Sequence, residues 1–188
     1  NSLLSLALSQ RSGRTQIEDL APPNTAAMFS IALTNGPSLL KKLEGSGGRD
    51  PATVKKWNDS LDTDLDLALL SWMDEEIGKI IVDNVNGTSS AFVFGTSSES
   101  KAEQRLSDLR TSIDNFNDEE DGSHPGILHR EMEIGHLRLP LLFQNVLGDH
   151  FADLSQPYYA ILGERVVFSD DVNLLRSIIN HTINRTTL

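Results

Sequence analysis

Residues 77–94 constrain the fold more than any other stretch of this chain. Ile77–Val82 and Ala91–Phe94 are apolar runs on either side of Asn86-Gly87. That residue pair is favoured in two-residue hairpin turns because both positions tolerate positive φ. Ala91-Phe92-Val93-Phe94 is apolar at every position. Successive side chains of a strand point to opposite faces, so this strand is expected inside a sheet with cover on both sides.

The remaining elements follow from caps and periodicity. Thr25–Leu33 reads as a strand after the turn residues Ala21-Pro22-Pro23-Asn24, with Met28 and Phe29 on opposite faces. Asn35-Gly36-Pro37 ends it, Ser38–Leu43 is a short helix, and Gly45–Pro51 is a loop. Pro51 suits the first turn of a helix running to about Ser60. A second helix is predicted over Asp62–Met73, with Leu65, Leu69 and Trp72 on one face and Asp62, Asp64 and Asp66 near the positive end of the dipole. Ala102, Leu106, Leu109, Ile113 and Phe116 give the clearest helical stripe, behind a cap cluster at Thr96–Ser100 in which Ser100 and Glu103 have capping-box spacing. Asn117–Pro125 is an acidic exposed loop.

Leu128, Arg130, Met132 and Ile134 lie on one side of a predicted strand. Leu137 and Leu139 continue it in the opposite phase, so a bulge or bend is expected at Gly135. Pro140–Leu147 is a short helix ending at Gly148. Tyr158–Leu162 and Arg165–Phe168 flank Gly163-Glu164, a pair compatible with a type II′ hairpin. Ser169-Asp170-Asp171 opens a last helix with the stripe Leu174, Leu175, Ile178 and Ile183.

Three stretches, 28–43, 92–113 and 166–183, each read strand, polar cap, amphipathic helix, with unequal spacing. The mixture predicts an α+β fold: a largely antiparallel sheet with amphipathic helices on one face, built from strand–helix and hairpin units. Residues 1–20 are expected as an N-terminal segment, a processing remnant or short helix. Residues 21–188 are expected as a single α+β domain of a longer protein, because the chain opens at Asn1 and stops at Leu188 without a terminal motif.

Composition narrows the partners. The chain has 188 residues, long enough for a sizeable core, and carries 16 Lys and Arg against 27 Asp and Glu for a net charge of −11. That balance argues against nucleic acid or an anionic membrane surface, which require clustered basic residues. There is no cysteine, which removes disulfides, thiolate metal sites and thiol nucleophiles. The apolar stretch Ser2–Leu8 is far shorter than the ~20 residues of a membrane helix.

Pro157-Tyr158-Tyr159-Ala160-Ile161-Leu162-Gly163, followed by Val166-Val167-Phe168-Ser169 and the predicted helix Val172–Ile179, is similar to a segment of an uncharacterised family of bacterial exported proteins. Leu70-Ser71-Trp72 leading to Glu76-Ile77 resembles that family's helix-to-strand junction, and Pro22-Pro23-Asn24-Thr25-Ala26 its opening strand. The family is known only as a domain of unknown function. Its members usually begin with a membrane anchor and some carry further domains. The resemblance therefore implies an extracytoplasmic location, periplasmic or in the cell envelope, with a tether elsewhere in the full-length protein. It implies no catalytic or ligand residue.

His129, Glu131, Glu133 and, past Gly135, His136 supply ligand types that suit a divalent ion. They lie in a row along one strand, where solvation of a sheet face explains them equally well. Asp62, Asp64 and Asp66 begin like a calcium loop, but Leu67 replaces the turn glycine and Met73 the final carboxylate. Asp114–Asp121 is dense in acid without that register. Ser169 is accounted for by capping. His124, His150 and His181 read as surface residues, and Glu75-Glu76 and Asp170-Asp171 as diverging neighbours. Gly45-Ser46-Gly47-Gly48 lacks the Lys and Ser or Thr of a phosphate loop. Tyr158, Tyr159 and Trp72 have the chemistry to line a ligand cleft, with Trp72 also fitting the core. Asn58, Asn86, Asn180 and Asn184 head glycosylation sequons that mean little in a bacterial protein.

The sequence thus points to a non-enzymatic extracytoplasmic binding or structural module of an envelope protein. Its expected partner is another protein or the neighbouring domains of the full-length chain, not nucleic acid or the membrane itself. No catalytic, cofactor-binding or metal residue is assigned. The alternative is a metal-dependent hydrolase or metal-binding protein using the His129–His136 strand.

Overall fold

The structure, a computed structural model, describes residues 17–32, 49–74, 76–85, 87–117 and 126–186. Seven strands form one sheet: β1 (Thr25–Ala32), β2 (Glu76–Asn84), β3 (Gly87–Gly95), β4 (Ile127–His129), β5 (Met132–His136), β6 (Tyr158–Ile161) and β7 (Arg165–Ser169). Their order is β1-β2-β3-β7-β6-β5-β4, with every neighbouring pair antiparallel. Among the described residues there are five α-helices: α1 (Pro51–Leu61), α2 (Leu65–Leu70), α3 (Glu99–Asn117), α4 (Leu142–Leu147) and α5 (Val172–Thr186). The fold is α+β on an antiparallel sheet, as the sequence predicts.

Alternation along β3 and β7 feeds two cores. Phe92, Phe94, Val166 and Phe168 face α1–α4, while Ala91, Val93 and Val167 face α5 and the 3-10 turn Ile17–Asp19. The helices are therefore not confined to one face. Both sides of the central strands are apolar, and α5 buries the second side with Leu174, Leu175, Ile178 and Ile179. Ile17 and Leu20, within the stretch expected as a separate segment, are buried in this second core. Gly78 makes that possible: a Cβ there would sit 2.2 Å from Ile17 Cδ1.

Local chemistry sets the element ends. Asp50 caps α1 by accepting from the Ala52 and Thr53 amides, and Asp62 ends it in the left-handed region at φ 48°. That break shortens the helix expected over Asp62–Met73 to Leu65–Leu70, with Asp64 as its cap. Trp72 still enters the core, its Nε1 donating to Ala68 O at 2.9 Å. Ser98, not Ser100, caps α3: its hydroxyl accepts from the Lys101 amide at 3.4 Å, and the helix begins at Glu99. In the β2–β3 hairpin Asn84 pairs with Gly87, so the turn closes one residue ahead of the predicted Asn86-Gly87 pair.

The single strand expected through 128–136 is instead a hairpin. Arg130 and Glu131, at φ 48° and 66°, form its turn, and His129 pairs with Met132. Positive φ at both central residues is the requirement of a type I′ turn, here met without glycine or asparagine. Gly135 hosts no bulge in this register. It pairs with Tyr159, whose ring lies 2.4 Å from where a Cβ would be.

At the β6–β7 turn Gly163 has φ +60° and Leu162 N donates to Arg165 O at 2.7 Å, as a type II′ hairpin requires. Asp171 caps α5 through the Asn173 amide at 2.9 Å. The expected helix Ser38–Leu43, the turn Asn35-Gly36-Pro37, the glycines 45–48, His124, most of the acidic loop Asn117–Pro125 and Ser2–Leu8 lie outside the described residues.

Candidate functional site

The hairpin disperses the residues that suggested a metal. His129 Nε2 is 3.0 Å from Asn180 Oδ1 on α5, Glu131 sits in the turn, and Glu133 is held by Arg110. His136 stacks on Tyr158 with ring centroids 4.1 Å apart, and its Nε2 donates to Gln156 O at 3.0 Å. Among the described residues no three His, Asp or Glu side chains are grouped as metal ligands. Asp62, Asp64 and Asp66 likewise go separate ways, to a helix end, a helix cap and an ion pair with Arg49 at 2.7 Å.

An open bowl of about 540 Å³ lies beside Lys79, Ile81 and Ser90, rimmed by Asp153, Asp170 and Asp171. Its polar groups hold the fold together. Ser169 donates to Ser90 O at 2.7 Å, Ser89 donates to Asp171 at 2.7 Å, and Asp170 accepts from the Ser155 amide at 2.9 Å. Lys79 pairs with Asp153 and lies over the Phe92 ring. Asp170 and Asp171 diverge, as their adjacency predicts. Burial pushes the Asp170 carboxyl above its ordinary range and the His136 imidazole below its own.

A second cleft, of about 320 Å³, opens between α3 and the β5–β6 edge. Glu99, Glu103, Ser107 and Arg110 recur at four, four and three residues and form one stripe of α3 facing β5 and β6. The neighbouring stripe, Ala102, Leu106, Leu109 and Ile113, is buried and anchors the helix. The C-terminal half of this seam is stitched shut: Arg110 donates to Glu133, Arg138 to Asp114 at 3.0 Å, and Asn117 to Arg138 O at 2.9 Å. The N-terminal half stays open. There Glu99, Glu103 and Glu131 have no ion-pair partner among the described residues.

Tyr159 forms the floor. It is 7% exposed, its ring occupies the space above Gly135, and its hydroxyl makes no hydrogen bond among the described residues. Burial pushes its pKa up to about 12, so the hydroxyl keeps its proton. Burial disfavours the Arg110 charge most, but the Glu133 hydrogen bond together with the electrostatics of Tyr159, Glu133 and Asp114 outweighs it and raises its pKa. The arrangement offers a neutral donor and acceptor, an apolar wall at Met132 and Ile161, and an excess of carboxylate.

Of the three aromatic residues that suggested a cleft, Tyr159 lines this one, Tyr158 is stacked on His136, and Trp72 packs against Phe94 and Phe168. Arg110 and the Glu99–Glu103 stripe were missed, because on α3 they look like an ordinary solvated face. Among the described residues no helix is long and apolar enough to cross a membrane. The chain matches no protein-family model, no curated protein and no solved structure.

Proposed function

We propose that the chain is a non-enzymatic binding or structural module of a bacterial envelope protein, held outside the cytoplasm, and that its partner meets it at the cleft between α3 and β5–β6. The observation that carries the binding site is Tyr159. Its ring is buried, while its hydroxyl makes no hydrogen bond among the described residues and the residue lines the cleft, so the hydroxyl is open to a partner's polar group. The polar groups of the larger bowl, by contrast, are engaged with one another. The envelope location rests on the similarity of the Pro157–Ile179 stretch to exported proteins.

The absence of cysteine gives a direct test. Ser107→Cys places a single thiol on the exposed rim of the cleft. In intact cells making the full-length protein, a sulfonated maleimide that does not cross the inner membrane should label this thiol. Labelling only after lysis overturns the extracytoplasmic assignment. Attachment of a bulky adduct at Ser107 should also block partner association, whereas an adduct at Asp59→Cys on α1 should not.

A further inference from the structure

We propose that the free edge of β1 pairs with β1 of a second copy of this chain, joining two seven-stranded sheets into one across a two-fold axis. The pairing edge lies at the end of the sheet away from the cleft, and it stands apart from the reading of that cleft.

Soluble proteins usually blunt a sheet edge with charge, proline, brevity or a bulge, because an open edge presents a row of unpaired N–H and C=O groups. The two ends of this sheet differ in that respect. β4 spans three residues and runs straight into the charged Arg130-Glu131 turn. β1 spans eight, Thr25–Ala32, with no charged residue and no proline. Its ladder to β2 is regular from Ala27 to Ala32, and no strand pairs with its outer side among the described residues. Met28 and Phe29, at its middle, are 46% and 63% exposed. They point to opposite faces, Met28 beside Ile80 and Phe29 beside Lys79. A helix laid on either face covers one of them. A strand added to the edge brings side chains alongside both.

The residues of β1 favour a second copy as that strand. Antiparallel pairing about a two-fold normal to the sheet makes each face continuous with its equivalent, and directly opposed residues share a face. With Phe29 opposite Phe29 of the second copy, Ala27 meets Ile31 and Met28 meets Ser30. A large side chain faces a small one everywhere except the centre, where two aromatic rings form a favourable cross-strand pair. No charge meets a like charge along the strand, although each copy carries −11 overall. β2 already holds β1 extended, so pairing orders little new backbone. An eight-residue edge is smaller than the interfaces of about 1,200 Å² or more that hold stable complexes, so the dimer is reversible, with a Kd of about tens of micromolar.

The test is sedimentation velocity of the 188-residue chain from about 5 to 500 µM, a range that brackets the expected Kd. The chain should pass from monomer to dimer, and more readily as NaCl is raised, because salt screens the repulsion between two acidic copies. Phe29→Lys should weaken dimerisation about tenfold or more while leaving the urea midpoint of the dilute monomer unchanged, since the residue is already exposed. Leu128→Lys, on the opposite edge, should leave the dimer intact. The absence of cysteine allows a geometric check. Opposed residues of an antiparallel pair have Cα atoms about 4.5–5.5 Å apart, within reach of a disulfide. Phe29→Cys should therefore form a covalent dimer with diamide, which takes up the two protons and two electrons of the paired thiols, much faster than Leu128→Cys.

A chain that stays monomeric to the top of that range overturns the proposal. So does a dimer indifferent to Phe29→Lys, a dimer dissociated by salt, or equal cross-linking of Phe29→Cys and Leu128→Cys. The remaining arm uses a peptide with the sequence of Thr25–Ala32, which should bind the chain and compete with dimerisation. A monomeric chain that nevertheless binds this peptide discards the second copy and makes a foreign extended segment the occupant of the edge. Labelling of Ser107→Cys in cells is indifferent to all of these outcomes, so the dimer and the envelope reading stand or fall separately.

Discussion

On one face of the sheet Phe92, Phe94 and Phe168 meet Trp72, Phe143 and Phe151; on the other, Gly78, Val93, Val167 and Ala160 meet Ile17, Leu175, Ile178 and Ile179. The same strands build both surfaces, large residues alternating with small ones. Phe94 has four ring neighbours, Trp72, Phe143, Phe151 and Phe168, with centroids 5.6–6.3 Å away, and Phe168 has four as well. Rings of that size fill the uneven space beneath four helices, two of which span only six residues. The small-residue face instead lets one long helix lie close across β3, β7 and β6. Cover can thus come from many short elements over bulky side chains or from one regular element over a smooth surface.

Substitutions can break this contrast. Phe94→Ala should cost the most, about 3–5 kcal/mol in urea unfolding, because four fixed rings cannot collapse into the hole. Ile178→Ala should cost less, about 2–4 kcal/mol, since a single helix can settle toward the sheet. A larger loss for Ile178→Ala than for Phe94→Ala would contradict the difference between the faces. Ala91→Leu should cost about 1–3 kcal/mol by forcing α5 away from β3. A neutral result there would mean the second face has slack.

The smallest effect concerns pH. Burial lowers the His136 pKa, so the folded state favours the neutral ring stacked on Tyr158. That contribution is complete above about pH 6.5 and is lost as pH falls through the imidazole range. The urea midpoint should therefore drop from pH 7.5 to 5.5, and less steeply in His136→Phe, which keeps a stacked ring. Asp170 acts in the opposite sense at lower pH, because its raised pKa favours the protonated form in the folded state. An equal drop in both proteins would assign the acid sensitivity elsewhere.

How much was legible depended on whether a signal was local. The β2–β3 hairpin, α3, α4, the Gly163 turn and the Asp171 cap carry their instructions within a few residues, and the sequence reading finds them. The Arg130-Glu131 turn carries none, since neither residue is a turn former; register across β4, β5 and β6 imposes it. The break between the helices ending near Ser60 and starting at Asp62 is legible, but the second helix starts later, at Leu65 behind the Asp64 cap, and ends sooner, at Leu70. Cover on both faces was implied by Ala91–Phe94 itself, yet the helix that supplies it comes 77 residues after Phe94's strand ends at Gly95. The cleft was least legible. Arg110, Glu133 and Tyr159 come from three elements, and nothing within any one of them announces that the fold brings them together.

The position of β7 has a consequence for how the chain is made. It lies between β3 and β6, so among the described residues the ladder of the sheet passes from the first three strands to the β4–β6 group through residues 165–169. A nascent polypeptide halted on the ribosome before those residues emerge holds two half-sheets, each with a naked apolar border. The sheet can close only after residues 165–169 have emerged, and until then those borders are open to pairing with another chain.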